Sequence, residues 1–92
     1  MMYYVYVLKS VVDQGLYIGF TRDLSKRLSS HNAGESKSTR SRRPLRLIYY
    51  EAYAINEDAL GRERFLKSGS GHRYLDNQLS GYFERYPRSK TA

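Results

Sequence analysis

The segment Tyr17–His31, YIGFTRDLSKRLSSH, compresses a strand, a glycine turn and a helix into fifteen residues. Leu16, Tyr17 and Ile18 have the aromatic and β-branched character of a strand, Gly19 allows a turn, and Thr21 or Asp23 can cap a helix. On a 3.6-residue period, Leu24, Arg27, Leu28 and His31 fall on one helix face. An arginine and a histidine therefore share the face that two leucines bury. An arginine so placed must meet an acid or face a polar pocket.

The chain before and after this segment supplies the other elements. Tyr3–Lys9, YYVYVLK, is a strand by composition, with Tyr4, Tyr6 and Leu8 on one face and Tyr3, Val5 and Val7 on the other. Both faces are apolar or aromatic, which predicts a central strand. Asp13 and Gly15 give Ser10–Gly15 the chemistry of a turn, returning the chain as an antiparallel hairpin. Asn32, Ala33 and Gly34 stop the first helix. Glu35–Arg43, ESKSTRSRR, has no large apolar residue and is predicted to be a solvated loop. Its Lys37, Arg40, Arg42 and Arg43 form either a phosphate rail or a solubilising surface. Leu45–Tyr53 reads as a third strand, and Asn56 as the cap of a helix from Glu57 to about Lys67.

On that second helix Glu63 lies in the middle of an arc of roughly 120° shared with Ala59, Leu60 and Leu66. A carboxylate in such company is paired, protonated or bound to a cation. Pairing with Arg27 and service in a functional site are both open on this evidence. Ser68–Gly71 is expected to break the helix, and His72–Leu79 to form a last short one. Ser70 and the flanking glycines, next to Lys67 and Arg73, form either a pair of helix caps or a nest of N–H groups for a phosphate. The predicted fold is a small α+β domain over residues 1–81, a three-stranded antiparallel or mixed sheet flanked by helices in the order β-β-α-β-α-α. Residues 82–92, with Arg85, Arg88 and Lys90, are expected to be a basic, flexible tail.

Composition narrows the function. With 92 residues there is room for one core and one site. No cysteine and two histidines exclude disulfides and thiolate zinc sites, so any metal would have oxygen ligands. The short apolar runs and uncharged start predict a cytoplasmic protein with no membrane segment. Sixteen Lys and Arg against nine Asp and Glu give a net charge of +7, which favours a polyanionic partner, and ten tyrosines offer surfaces for bases. If Tyr17, Arg27, His31 and Glu63 converge, they suit phosphodiester hydrolysis: Arg27 for the phosphate, Glu63 for a hard divalent cation, and Tyr6, Tyr17 or His31 for a proton.

Val5-Tyr6-Val7, Tyr17-Ile18-Gly19 with Thr21, Arg27 eight residues beyond Gly19, His31, and Glu63 after a third strand together resemble the GIY-YIG nuclease domain. His31-Asn32 and the run Phe65–Gly71 are similar to its short stand-alone bacterial members, relatives of the excision-repair incision subunit. The resemblance implies a metal-dependent endonuclease acting on structured or single-stranded DNA, with a connection to DNA repair. It implies that Tyr17 and Tyr6 position or deprotonate the water, Arg27 holds the scissile phosphate, and His31 is an auxiliary base or phosphate donor. Glu63 would bind Mg²⁺ or Mn²⁺, and Asn77 corresponds to an asparagine that many members use. DNA is favoured over RNA, and a protein partner could supply specificity. The competing reading is a non-catalytic nucleic-acid-binding module with the same fold.

Overall fold

The computed structural model describes residues 1–89 of the chain. Three strands, β1 (Tyr3–Ser10), β2 (Leu16–Thr21) and β3 (Leu45–Tyr53), form an antiparallel sheet in the order β2-β1-β3. The helices are α1 (Leu24–Asn32), α2 (Asn56–Lys67), α3 (Gly69–Gln78) and α4 (Ser80–Arg85). This is the expected α+β fold and element order, with α4 added.

The strand read as two-sided is central and buried on both faces. On one side Tyr6, Leu8 and Leu45 pack with Tyr17, Leu24, Leu28 and Leu47, placing α1 against the sheet. On the other, Val5, Val7, Leu16 and Ile18 meet Ala59, Leu66 and Leu75 of α2 and α3. Leu66 and Leu75 have no exposed surface, and burying each contributes about 1.5–3 kcal/mol.

A bulge in β3 decides which side chains meet which helix. Val7 faces Tyr49 and Leu8 faces Leu47, so Ile48 is the additional residue. Before the bulge, Leu45 and Leu47 pack on the α1 side; after it, Tyr49 and Tyr53 pack on the α2 side. The one-residue shift inverts the alternation.

Several local expectations change. Gly19 is not the turn; β2 runs through it to Thr21, and Asp23 caps α1 by accepting from the Lys26 amide at 3.0 Å. Asn56 is the first residue of α2 rather than its cap, because Ile55 holds the extended cap conformation and its carbonyl accepts from the Ala59 amide. Gly69, Ser70 and Gly71 do not form a break; they are the first turn of α3, capped by Ser68, whose hydroxyl accepts from the Gly71 amide at 3.1 Å. A Cβ on Gly71 would overlap the carbonyl of Phe65, so this glycine allows α3 to start against the end of α2. Beyond Gly81, the described part of the expected tail is packed: Arg88 donates to Asp76 at 2.8 and 3.1 Å, and the Ser89 amide donates to the Gln14 carbonyl at 2.8 Å. Lys90 lies outside the described residues.

Candidate active site

Tyr6 projects from the middle of β1 toward α1, across from Gly19 of β2. A Cβ at position 19 would overlap the Tyr6 hydroxyl. The glycine is required here by space.

α1 brings Arg27 and His31 to this hydroxyl, as its periodicity predicted. Arg27 Nε donates to the Tyr6 oxygen at 3.3 Å, and His31 Nε2 lies 2.9 Å from the same oxygen. The other imidazole nitrogen, Nδ1, is 2.8 Å from Oγ1 of Thr39. A guanidinium only donates, and the arrangement in which each group donates once runs from Arg27 to Tyr6 to His31 to Thr39, with His31 assigned the Nδ1–H tautomer. Tyr17 closes the cluster, its ring centroid 5.1 Å from His31 and 6.4 Å from Tyr6.

Burial separates these residues into two ranks. Tyr6 is 1% exposed and His31 and Thr39 are 0% exposed, whereas Tyr17 and Arg27 keep part of their surface in solvent. Tyr17 and Arg27 are the members of the cluster that reach solvent. Tyr6 and His31 lie beneath them.

The electrostatics follow from the same packing. Burial raises the Tyr6 phenol above its ordinary value, Arg27 offsets part of that, and the nearby Tyr17 and Glu63 add to the rise. The hydrogen bond to Tyr6 raises Arg27, securing its charge. Burial, then the Arg27 charge, lowers His31, so the imidazole is held neutral.

Glu63 is within electrostatic reach of Tyr6 but is not paired with Arg27. Its carboxylate takes Lys67 Nζ at 3.1 Å, one helical turn along α2. A tyrosine hydroxyl stands where an acid was expected beside the arginine.

Thr39 is the residue the sequence did not disclose. It belongs to the segment predicted to be solvated, yet it is fully buried, because the loop folds into a short 3₁₀ turn (Arg40–Arg42) beside α1. In a run of serines, threonine and cations, nothing distinguishes it. Within the expected phosphate rail, Lys37, Arg40 and Arg43 are exposed, although Arg40 and Arg43 also donate to the carbonyls of Gly34 and Arg40. Arg42 is withdrawn into a bidentate pair with Asp13 at 2.7 and 3.2 Å. Of the second basic group, Lys67 binds Glu63, and Arg73 donates to the Ser70 hydroxyl at 3.0 Å. Asn77 is exposed near the end of α3.

A three-stranded antiparallel sheet in the order β2-β1-β3, with helices carrying Arg27 and Glu63, is the arrangement that the resemblance implies, and comparison with known proteins identifies the family. The GIY-YIG catalytic domain matches residues 2–90. The chain belongs to the GIY-YIG family. It is 49% identical over 88 residues to a UPF0213 protein of Streptococcus pyogenes serotype M3, covering 95% of this chain and 90% of that one. A UPF0213 protein of Bacillus pumilus is 46% identical over 67 residues, 72% of this chain and 67% of the relative. The solution structure of the UPF0213 protein BH0048 from Bacillus halodurans superimposes with a TM-score of 0.57 at 32% identity, covering 100% of both chains. Among the described residues, no helix is long and apolar enough to cross a membrane.

Proposed function

We propose that this protein is a divalent-metal-dependent endonuclease that hydrolyses DNA phosphodiester bonds in structured or single-stranded regions. The observation that carries the reading is the convergence of half-buried Tyr17 and Arg27 over a buried, fully hydrogen-bonded support, with Glu63 in electrostatic reach.

Arg27 binds the non-bridging oxygens of the scissile phosphate, its charge secured from behind by Tyr6. Tyr17 orients the attacking water and, in its phenolate form, receives its proton to become the neutral phenol. Tyr6 and His31 act as positioning residues, fixing the Arg27 fork and the Tyr17 ring. His31, neutral and with its Nδ1 bonded to Thr39, remains able to take the Tyr6 proton if charge builds on that phenol.

Among the described residues, no group of three or more His, Asp or Glu is placed to hold a metal. The donor set nevertheless fits Mg²⁺ or Mn²⁺, which is commonly held by one carboxylate while it keeps waters and takes phosphate oxygens. Glu63 would be that carboxylate, released by Lys67, whose side chain is 55% exposed. When bound, the ion would stabilise charge on the leaving oxygen.

The test is incubation with labelled single-stranded, duplex, flapped and four-way-junction DNA plus Mg²⁺ or Mn²⁺. Cleavage that disappears with chelator and in Glu63→Gln is expected. The Lys67–Glu63 pair favours the second reading, a non-catalytic binding module in which the acid is only a helix partner. Salt-sensitive binding with no cleavage under either metal would establish that reading instead.

A further inference from the structure

Lys9 is buried, 7% exposed, at the end of β1. Among the described residues its ammonium makes one hydrogen bond, to Gln14 Oε1 at 2.6 Å, and has no carboxylate partner. Buried lysines are rare without an acid, because the charge loses its hydration with nothing in exchange.

Lys9 lines a cavity of about 430 Å³, and its ammonium lies against two of the other lining residues, Gln14 and Tyr82; Arg46 and Tyr86 also form its walls, and the volume is within the range of roughly 300–1,000 Å³ typical of small-ligand pockets. Arg46 stands opposite Lys9 in the β1–β3 register and is exposed, so two cations flank one space. The other wall is aromatic. Tyr82 and Tyr86 lie one turn apart with centroids 5.1 Å from each other, Lys9 Nζ is 5.9 Å from the Tyr82 ring, and Tyr86 is 55% exposed. Among the described residues, no acidic side chain lines the cavity.

This is not the candidate active site. Lys9 is three residues along β1 from Tyr6, about 10 Å, and alternation points the two side chains to opposite faces of the sheet. Two cations and an open tyrosine ring match a ligand with one anionic end and one flat, apolar end. We propose that the cavity is a nucleotide-binding subsite, with the phosphate on Lys9 and Arg46 and the base stacked on Tyr86. A free nucleotide and one nucleotide of a strand share this chemistry. The subsite does not depend on whether the protein cleaves DNA.

The test is an amide NMR titration of the full chain with thymidine 5′-monophosphate, with thymidine and inorganic phosphate as separate controls. Saturable shifts at Gly15, Arg46 and Tyr86 are expected, with each control weaker by about tenfold or more, since stacking and charge act together. Tyr86→Ala and Arg46→Ala, both at exposed positions, should each weaken binding by roughly fivefold or more. Tighter binding of tetrathymidylate at the same amides would assign the site to a strand, and equal affinity to a free nucleotide; both outcomes support the subsite. Shifts confined to Tyr17, Arg27 and Glu63, phosphate binding as well as the nucleotide, unaltered affinity in both variants, or no saturable shift would each overturn it.

Discussion

Glu51 and Glu63 are two partly buried carboxylates, and their surroundings differ completely. Glu51, on β3, receives Tyr49 and Tyr53 hydroxyls at 2.5 Å each and both arms of Arg62 at 2.8 and 3.0 Å. Arg62 in turn lies 4.5 Å from the Tyr74 ring centroid. Burial would raise Glu51, but Arg62 and the two phenols outweigh it and hold the carboxyl below its ordinary value, while Tyr53 is pushed up to about 12 by burial and by the same acid. Glu63 has one exposed lysine. A carboxylate with every lone-pair direction occupied ties α2 to β3 and has nothing left to offer a ligand, whereas one facing a single exposed ammonium can exchange it for another cation. Saturation, more than burial, separates a structural acid from a usable one.

The most direct way to break this contrast is to neutralise both acids and compare what each substitution removes. On the proposed function, Glu63→Gln should reduce cleavage by roughly 10²–10³-fold while leaving the thermal midpoint nearly unchanged, as read by gel assay and circular dichroism. Glu51→Gln should do the reverse. Stranding Arg62 costs about 2–3 kcal/mol, below the range for fully buried pairs because both partners keep some exposure, and lowers the midpoint by roughly 10–20 °C. Cleavage measured well below that midpoint should be retained. If Glu51→Gln abolished activity without loss of stability, the distinction would fail.

Acid titration sharpens the same comparison. The folded value for Glu51 lies below its ordinary 4.5, so its contribution is fully present above about pH 4.5 and is lost as pH falls through the folded value. Urea unfolding at a series of pH values should show the gap between the parent protein and Glu51→Gln narrowing below about pH 4.5. A gap independent of pH would mean that the carboxylate's charge is not what holds α2 in place.

The legible parts of this molecule were those carried by periodicity. Alternation in Tyr3–Lys9 predicted a central strand buried on both sides, and the 3.6-residue period in Leu24–His31 predicted that Arg27 and His31 face inward; the structure has both. The partner of each polar group was not legible. The bulge at Ile48 turns Tyr49 and Tyr53 toward α2, and no alternation pattern reveals an inserted residue whose neighbours are all apolar or aromatic. Thr39 and Arg42 sit in a run that composition alone describes as solvated, and what withdraws them is a tertiary interaction with His31 in one case and Asp13 in the other.

Thr39→Val tests whether the buried support behaves as the exposed site requires. It preserves shape but removes the acceptor of the His31 Nδ1 proton, at about 1 kcal/mol of stability. With Nδ1–H unsatisfied, the imidazole should move toward the other tautomer, visible in its nitrogen shifts, and cleavage should fall about tenfold through kcat with little change in KM. Thr39→Ser should restore both. A purely structural threonine would lower stability without moving the tautomer.

The smallest expected effect extends the comparison from acids to cations. Arg42 is saturated by Asp13, whose carboxyl it holds below the ordinary value, while Arg40 and Arg43 lie exposed on the same segment. If saturation decides availability, Arg42→Ala should leave the salt dependence of DNA binding unchanged, whereas Arg40→Ala with Arg43→Ala should flatten it by about 0.9 in logarithmic slope for each duplex phosphate that is no longer neutralised. The measurement is the dissociation constant of the Glu63→Gln protein across a salt series, so that cleavage does not intrude. A slope that flattens for Arg42→Ala would show that phosphate competes successfully with Asp13 for a bidentate guanidinium, and that a filled hydrogen-bond set does not remove a group from the DNA-facing surface.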